Sequence, residues 1–213
     1  MGSNYAKLCE DWRLRFLAMD QARLLAMLPG LSQTEEWLTL RHFGRLYGVS
    51  RSGGQIVTLP ERIPADSLAA LNIYTLFGFV RPGAVLQGDW VGFERLRDTA
   101  PFSAAFRRGI LEPLARSFTG HLEALASALA ALGGAPLGQA DLSYQVPAFD
   151  CIPLRLLFWE GDEEFPAQAN LLFDRSATDF IHGESIVSIA MLLLRLLAGH
   201  AGLPLDRAAL ASM

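Results

Sequence analysis

From Ile152 to Phe173, apolar and polar positions alternate in two runs that mirror each other about an acidic turn. Ile152, Leu154, Leu156 and Phe158 occupy alternate positions in the first run, and Ala167, Ala169, Leu171 and Phe173 do so in the second. A period of two places each set on one face of a strand. Pairing Glu160 with Phe165 sets Phe158 opposite Ala167, Leu156 opposite Ala169, Leu154 opposite Leu171 and Ile152 opposite Phe173. That register buries both sets together, and a slip of one residue would turn one of them outward. The other face, Pro153, Arg155, Leu157 and Trp159 against Gln168, Asn170, Leu172 and Asp174, is mixed, as expected of a surface half covered by a helix or lining a cleft. Gly161 and Asp162 stand where a chain reversal needs them.

The same reading organises the rest of the chain. Leu8, Trp12, Phe16, Leu24, Leu25 and Leu28 recur at helical spacing and predict one helix from Asn4 to Leu28, ended by Pro29-Gly30. Trp37 to Leu40, Arg45 to Val49 and Gln55 to Leu59 read as short strands of an antiparallel meander, with turns at Phe43-Gly44 and Ser52-Gly53-Gly54. Pro64-Ala65-Asp66-Ser67 opens a helix to about Phe79, with the proline in its first turn. Ala84 to Asp98 has no clean period and reads as an irregular crossing. Ser103 to Phe118 and His121 to Leu132 are helical, with a break at Thr119-Gly120. Leu142 to Phe149 alternates weakly and is a candidate third strand for the hairpin. Glu184 to Gly199 closes the chain as a helix apolar almost all round, which suits either the core or a subunit interface.

Helix, strands, helices, strands and helix in that order predict an α+β fold rather than an alternating α/β one. The expected arrangement is a single domain over 1–213: an antiparallel sheet with a C-terminal β-hairpin, covered by helices, beside a small N-terminal β-meander. Its parts are the N-terminal helix and meander (4–60), a helical middle (64–134), and the hairpin with the closing helix (141–199).

Composition narrows the function classes. The 213 residues are 51% apolar and 19% charged, with a formal net charge of -4, enough chain for a sizeable core. With Lys7 the only lysine among 18 basic residues and no basic run, nothing points to nucleic acid. The greasiest run, Ile186 to Leu197, contains Arg195 and is shorter than the roughly 20 residues a membrane span needs, so no membrane role is expected. Cys9 and Cys151 stand in different elements without a CxxC, which suits a reducing cytoplasm. The polar N-terminus does not read as a signal peptide.

Four groups of residues could carry chemistry. The acidic turn, Glu160, Asp162, Glu163 and Glu164 beside Trp159, could attract a basic partner or a divalent cation, although its spacing is not that of an EF-hand. Asp174, His182 and Glu184 bracket the passage from hairpin to helix and could form a metal or acid–base site if they converge; otherwise His182 is simply a polar residue before the helix. Trp90, Phe93, Phe102, Phe106 and Trp159, with Arg45 and Arg155 as anchors, could line an apolar pocket, though rings at such spacing more often belong to a core. His42, His121 and His200 have no partner at zinc spacing. Ser185 lacks the second glycine of a nucleophile elbow, and Cys151 reads as a buried inert thiol.

The segments Phe43-Gly44-Arg45-Leu46-Tyr47-Gly48-Val49, Leu132-Gly133-Gly134, Phe158 through Ala167, and Leu171-Leu172-Phe173-Asp174 resemble a family of uncharacterised bacterial and archaeal proteins, domain of unknown function 3786. The resemblance covers about Asn4 to Leu197. Some members carry an iron–sulfur cluster domain beside this one, so it implies an accessory or sensing role near anaerobic redox or one-carbon metabolism. This chain has two cysteines where such a cluster needs four, so no iron–sulfur cluster is expected in it. The leading expectation is therefore a non-enzymatic binding module that engages a protein partner, small molecule or cation through the acidic turn. A metal-assisted enzyme built on Asp162, Glu163, Asp174 and Glu184, with His182 as proton shuttle, is the first alternative. A homodimer through 186–197 is the second.

Overall fold

The computed structural model describes residues 2–205; Met1 and 206–213 of the expected domain lie outside the described residues. The fold is α+β, with two antiparallel sheets and helices packed against them.

The N-terminal helical stretch is two helices rather than one: α1, Gly2–Leu17, and α2, Gln21–Met27. The division falls at Asp20, whose carboxylate accepts the N–H groups of Ala22 and Arg23 at 3.0 and 3.1 Å. That is an N-cap, and it restarts the helix where the leucine period alone runs straight through. The first sheet follows as a four-stranded meander in sequential order: β1 (Ser32–Gln33), β2 (Trp37–His42), β3 (Arg45–Ser50) and β4 (Ile56–Thr58). Phe43 and Gly44 join β2 to β3 with φ of 48° and 75°, the left-handed pair that a tight hairpin requires.

Pro64 bridges back to Val57 instead of entering the first turn of α3, Ser67–Phe79. Asp66 is the cap, accepting the Leu68 N–H at 2.9 Å. Every residue of α3 from Leu68 to Phe77 is buried, because α1 packs on one side of it and α8, Gly183–Ala201, on another.

The second sheet has the order β5-β9-β8-β7-β6. The hairpin is β8, Ile152–Trp159, with β9, Gln168–Asp174; β7, Leu142–Phe149, adds the third strand, and β6, Ala135–Pro136, the far edge. β5, Trp90–Gly92, lies within the stretch that has no period, and it pairs with 172–174 of β9. Three residues are too few to show an alternation. The hairpin faces are as the pattern requires, with Leu154, Leu156, Phe158, Leu171 and Phe173 all buried. The register, however, is displaced by two residues: Phe158 faces Ala169, Leu156 faces Leu171 and Leu154 faces Phe173. A two-residue shift returns every side chain to the same face, so alternation cannot detect it. The ladder ends at Trp159–Gln168 because Pro166 has no N–H to extend it.

Helices α4 (Ser103–Phe106), α5 (Glu112–Phe118) and α6 (Leu122–Ala131) lie between β5 and β6 in sequence. A π turn at Arg107–Leu111 joins the first two, where Pro113 withholds the N–H that would bond Gly109. The π turn, α5 and α6 pack on the second sheet, and α8 packs against the π turn, α6 and α3.

The two sheets meet at a buried polar chain. His42 Nδ1 lies 2.6 Å from the Ala148 carbonyl oxygen, and its Nε2 lies 3.1 Å from Asn72 Nδ2. The Ser188 hydroxyl donates to Asn72 Oδ1 at 2.6 Å. The His42 ring is stacked on Phe149 at 4.1 Å. Burial pushes the imidazole down to about 4, against a smaller upward pull from the Ala148 carbonyl. It is thus neutral, with Nδ1–H donating to the carbonyl and Nε2 accepting from the amide. By length and composition α8 could cross a membrane, yet Ile186, Ile189, Ala190, Leu192, Leu193, Leu194, Leu197 and Ala198 are buried inside the fold.

Candidate functional site

The tip of the β8–β9 hairpin is an acidic loop held in one shape by its own hydrogen bonds. Asp162 Oδ1 accepts the N–H groups of Glu164 and Phe165 at 2.8 and 2.7 Å, and the Asp162 N–H returns to the Phe165 carbonyl at 2.9 Å. This is an Asx turn closed on itself. The two donated bonds, Phe165 foremost, hold the Asp162 carboxyl below its ordinary range. Glu160 is anchored at both ends: its N–H donates to Asp141 Oδ2 at 2.7 Å, and its Oε1 accepts the Gly120 N–H at 2.9 Å. Gly161 is required here, since a Cβ would stand 2.6 Å from the Ala167 nitrogen.

What the loop presents is aromatic as well as acidic. Trp159 is 39% exposed and Phe165 63% exposed, and Asp162, Glu163 and Glu164 are all exposed beside them. Trp159, Glu160, Phe165, Pro166 and Gln168 line an open notch of about 250 Å³. No Lys or Arg occurs between Arg155 and Arg175, so the hairpin tip itself brings no positive charge to the notch. A second cavity, between Leu28–Leu31 and Phe149–Cys151, holds about 10 Å³, room for no more than a water.

The hairpin-to-helix junction does not assemble as a ligand set. Asp174 is 1% exposed, and its oxygens are occupied: Oδ1 by the Gln87 N–H and by the N–H and hydroxyl of Ser176, Oδ2 by the Gly88 N–H at 2.6 Å. Burial pushes this carboxyl up, but the bonds from Ser176, Gln87 and Gly88 outweigh it and leave the group below its ordinary range. His182 is the N-cap of α8, its Nδ1 accepting the Glu184 N–H at 3.3 Å, with its ring 5.3 Å from Phe79. Glu184 is exposed in the first turn of that helix. Among the described residues no group of three or more His, Cys, Asp or Glu could hold a metal ion. Asp174 therefore positions backbone, and His182 caps a helix.

A family model described as a domain of unknown function (DUF3786) matches residues 22–196, from α2 through most of α8 and including the tip. The chain belongs to this family. No curated protein and no solved structure matches it.

The remaining candidates scatter through the DUF3786 fold. Arg45 is exposed at the start of β3, opposite His42 in the first sheet, and does not line the notch. Phe93 and Phe106 are core, stacked at 4.1 Å. Arg155 lies 3.9 Å over the Trp90 ring and donates to Gln145, forming a stacked ladder on the outer face of the sheet rather than a pocket. Cys151 is buried and its thiol is pushed up to about 12 by that burial, which makes it inert. Phe165, Pro166 and Gln168 belong to the site although none stood out in the sequence. The available signal was Phe165 itself, a large apolar residue among carboxylates.

Proposed function

We propose that the chain is a binding module whose hairpin tip docks a cationic partner. The observation that carries this reading is a solvent-facing loop, closed by its own hydrogen bonds, in which Trp159, Glu160 and Phe165 line an open notch and the exposed Asp162, Glu163 and Glu164 follow in the same loop. An aromatic face attracts a cation by about 0.5–1 kcal/mol at an exposed site and about 2 kcal/mol once water is excluded. Exposed ion pairs contribute about 0–1 kcal/mol each. The rings would therefore supply the anchor, and the carboxylates the steering and the choice of sign.

An accessory role in anaerobic redox or one-carbon metabolism is the wider setting, and the family resemblance alone supports it. The two free, separated thiols of Cys9 and Cys151 suit a reducing, cytoplasmic compartment. Asp174, bonded on both oxygens to protein donors, is not available as the acid–base group of a metal-assisted reaction.

Octalysine titrated against the protein, with tryptophan fluorescence as readout, tests the reading. We expect a saturable, salt-sensitive change that is absent with octaglutamate, and calorimetric titration of Trp159→Ala should show octalysine binding weakened. A flat octalysine titration at low salt would refute it.

A further inference from the structure

Resting on that reading, we propose that the cationic partner is an extended peptide segment that joins the second sheet as a further strand on the open edge of β9 at Ala169. In an antiparallel ladder, alternate residues of a strand direct their N–H and C=O groups to opposite neighbours. In β9 the odd-numbered residues turn toward the β5 side: the Arg175 N–H donates to the Asp89 carbonyl at 2.8 Å, and Phe173 faces Val91. Leu171 and Ala169 share that direction, while Gln168 and Asn170 oppose Trp159 and Leu157 of β8.

β5 does not follow β9 to its beginning. Its pairing stops at Gly92–Leu172, and the chain then turns away through a short helical turn at Phe93–Arg95. The Leu171 N–H is left to the side chain of its own neighbour, Asn170 Oδ1, at 2.9 Å. Asn170 thus stands in for an absent strand carbonyl. Ala169, half-buried with the smallest chiral side chain, lies next along that edge, and exposed Gln168 leads from it into the notch. Among the described residues no strand continues along this edge past Gly92–Leu172, and such an edge is the template on which added-strand recognition works.

Charge selects the occupant. β9 begins at Gln168, and the loop that leads into it carries the exposed Asp162, Glu163 and Glu164, so a strand added along this edge has one end at the acidic tip. A basic segment complements that end, whereas a second copy of the chain would bring the same negative tip.

The probe is a decapeptide of alternating lysine and valine, titrated against the wild type, Ala169→Pro and Glu163→Gln/Glu164→Gln, with amide hydrogen exchange followed in the wild type. Proline at 169 removes an N–H that faces the open edge and leaves the β8 ladder intact. Expected are binding to the wild type, slowed exchange at Ala169 and Leu171, and at least about tenfold weaker binding by Ala169→Pro. If Ala169→Pro unfolds, the exchange data on the wild type decide. Binding with neither amide protected would overturn the added strand and leave docking by side chains alone. No binding to the wild type would instead remove the docking reading beneath it. A wild type that sediments as a dimer, and that Ala169→Pro converts to monomer, would give the edge to a second copy and overturn the proposed occupant.

Discussion

The two ends of β9 carry carboxylates that look alike in the sequence and behave oppositely in the fold. At one end Asp174 is buried and accepts from two neighbouring segments, tying the turn at Gln87–Gly88 to the start of α7, Ala177–Phe180. At the other end Asp162, Glu163 and Glu164 face water, and only Asp162 is tied, to its own loop. The first end uses negative charge to hold backbone donors. The second displays it. What separates the two is burial and the reach of the donors. Asp174 is buried and holds N–H groups of a distant segment, whereas Asp162 is exposed and holds only its own loop, and Glu163 and Glu164 are exposed.

Breaking the buried end should cost the most. Asp174→Ala leaves the N–H groups of Gln87, Gly88 and Ser176 without their acceptor, and at about 1 kcal/mol or more each the loss should reach about 3–4 kcal/mol in urea unfolding. Asp174→Asn, which keeps one acceptor oxygen, should lose less. Because the folded carboxyl is held below its ordinary value, its contribution is present above about pH 4 and disappears as pH falls through the folded value. An Asp174→Ala protein as stable as the wild type would show that the turn at Gln87–Gly88 is held by something else.

His42 sharpens the same contrast on a different part of the pH scale. Its imidazole is depressed to about 4 in the fold and ordinary, near 6.5, in the unfolded chain. Between those values the unfolded state binds the extra proton, so stability should fall as pH drops from about 6.5 to 4, by roughly 3 kcal/mol. His42→Gln cannot titrate and should lose this slope while keeping the fall at lower pH to which Asp174 contributes. A wild-type stability flat across pH 6.5 to 4 would mean that the buried imidazole is not neutral.

Which parts of this were legible follows from the length of each signal. The meander strands, the faces of β8 and β9, the third strand and the closing helix each rest on a repeated period, and each is present. The hairpin register was not legible, since a shift of two residues leaves the faces unchanged and only the loop decides it. Asp20 divides the first helical run through a side-chain cap that a leucine count ignores. β5 owes its strand character to β9 rather than to its own three residues. At the site, the acidic turn and Trp159 were visible as composition, but the burial of Asp174 and of His42 was not. Each depends on donors or rings far along the chain: Gln87 and Gly88 for one, Ala148 and Phe149 for the other.

The tip should give the smallest stability effect and the cleanest functional one. The side chains of Glu163 and Glu164 are exposed, and the turn that shapes the loop is closed by Asp162 through the backbone of Glu164 and Phe165, so it survives loss of both charges. Glu163→Gln/Glu164→Gln should therefore stay within about 0.5 kcal/mol of the wild type in urea unfolding, while octalysine binds it more weakly and with a shallower salt dependence. If the double variant binds octalysine as the wild type does, charge at the tip is not what is recognised, and the exposed carboxylates do no more than keep a hairpin end in water. If it loses stability instead, those carboxylates hold structure as Asp174 does, and the contrast between the two ends of β9 fails.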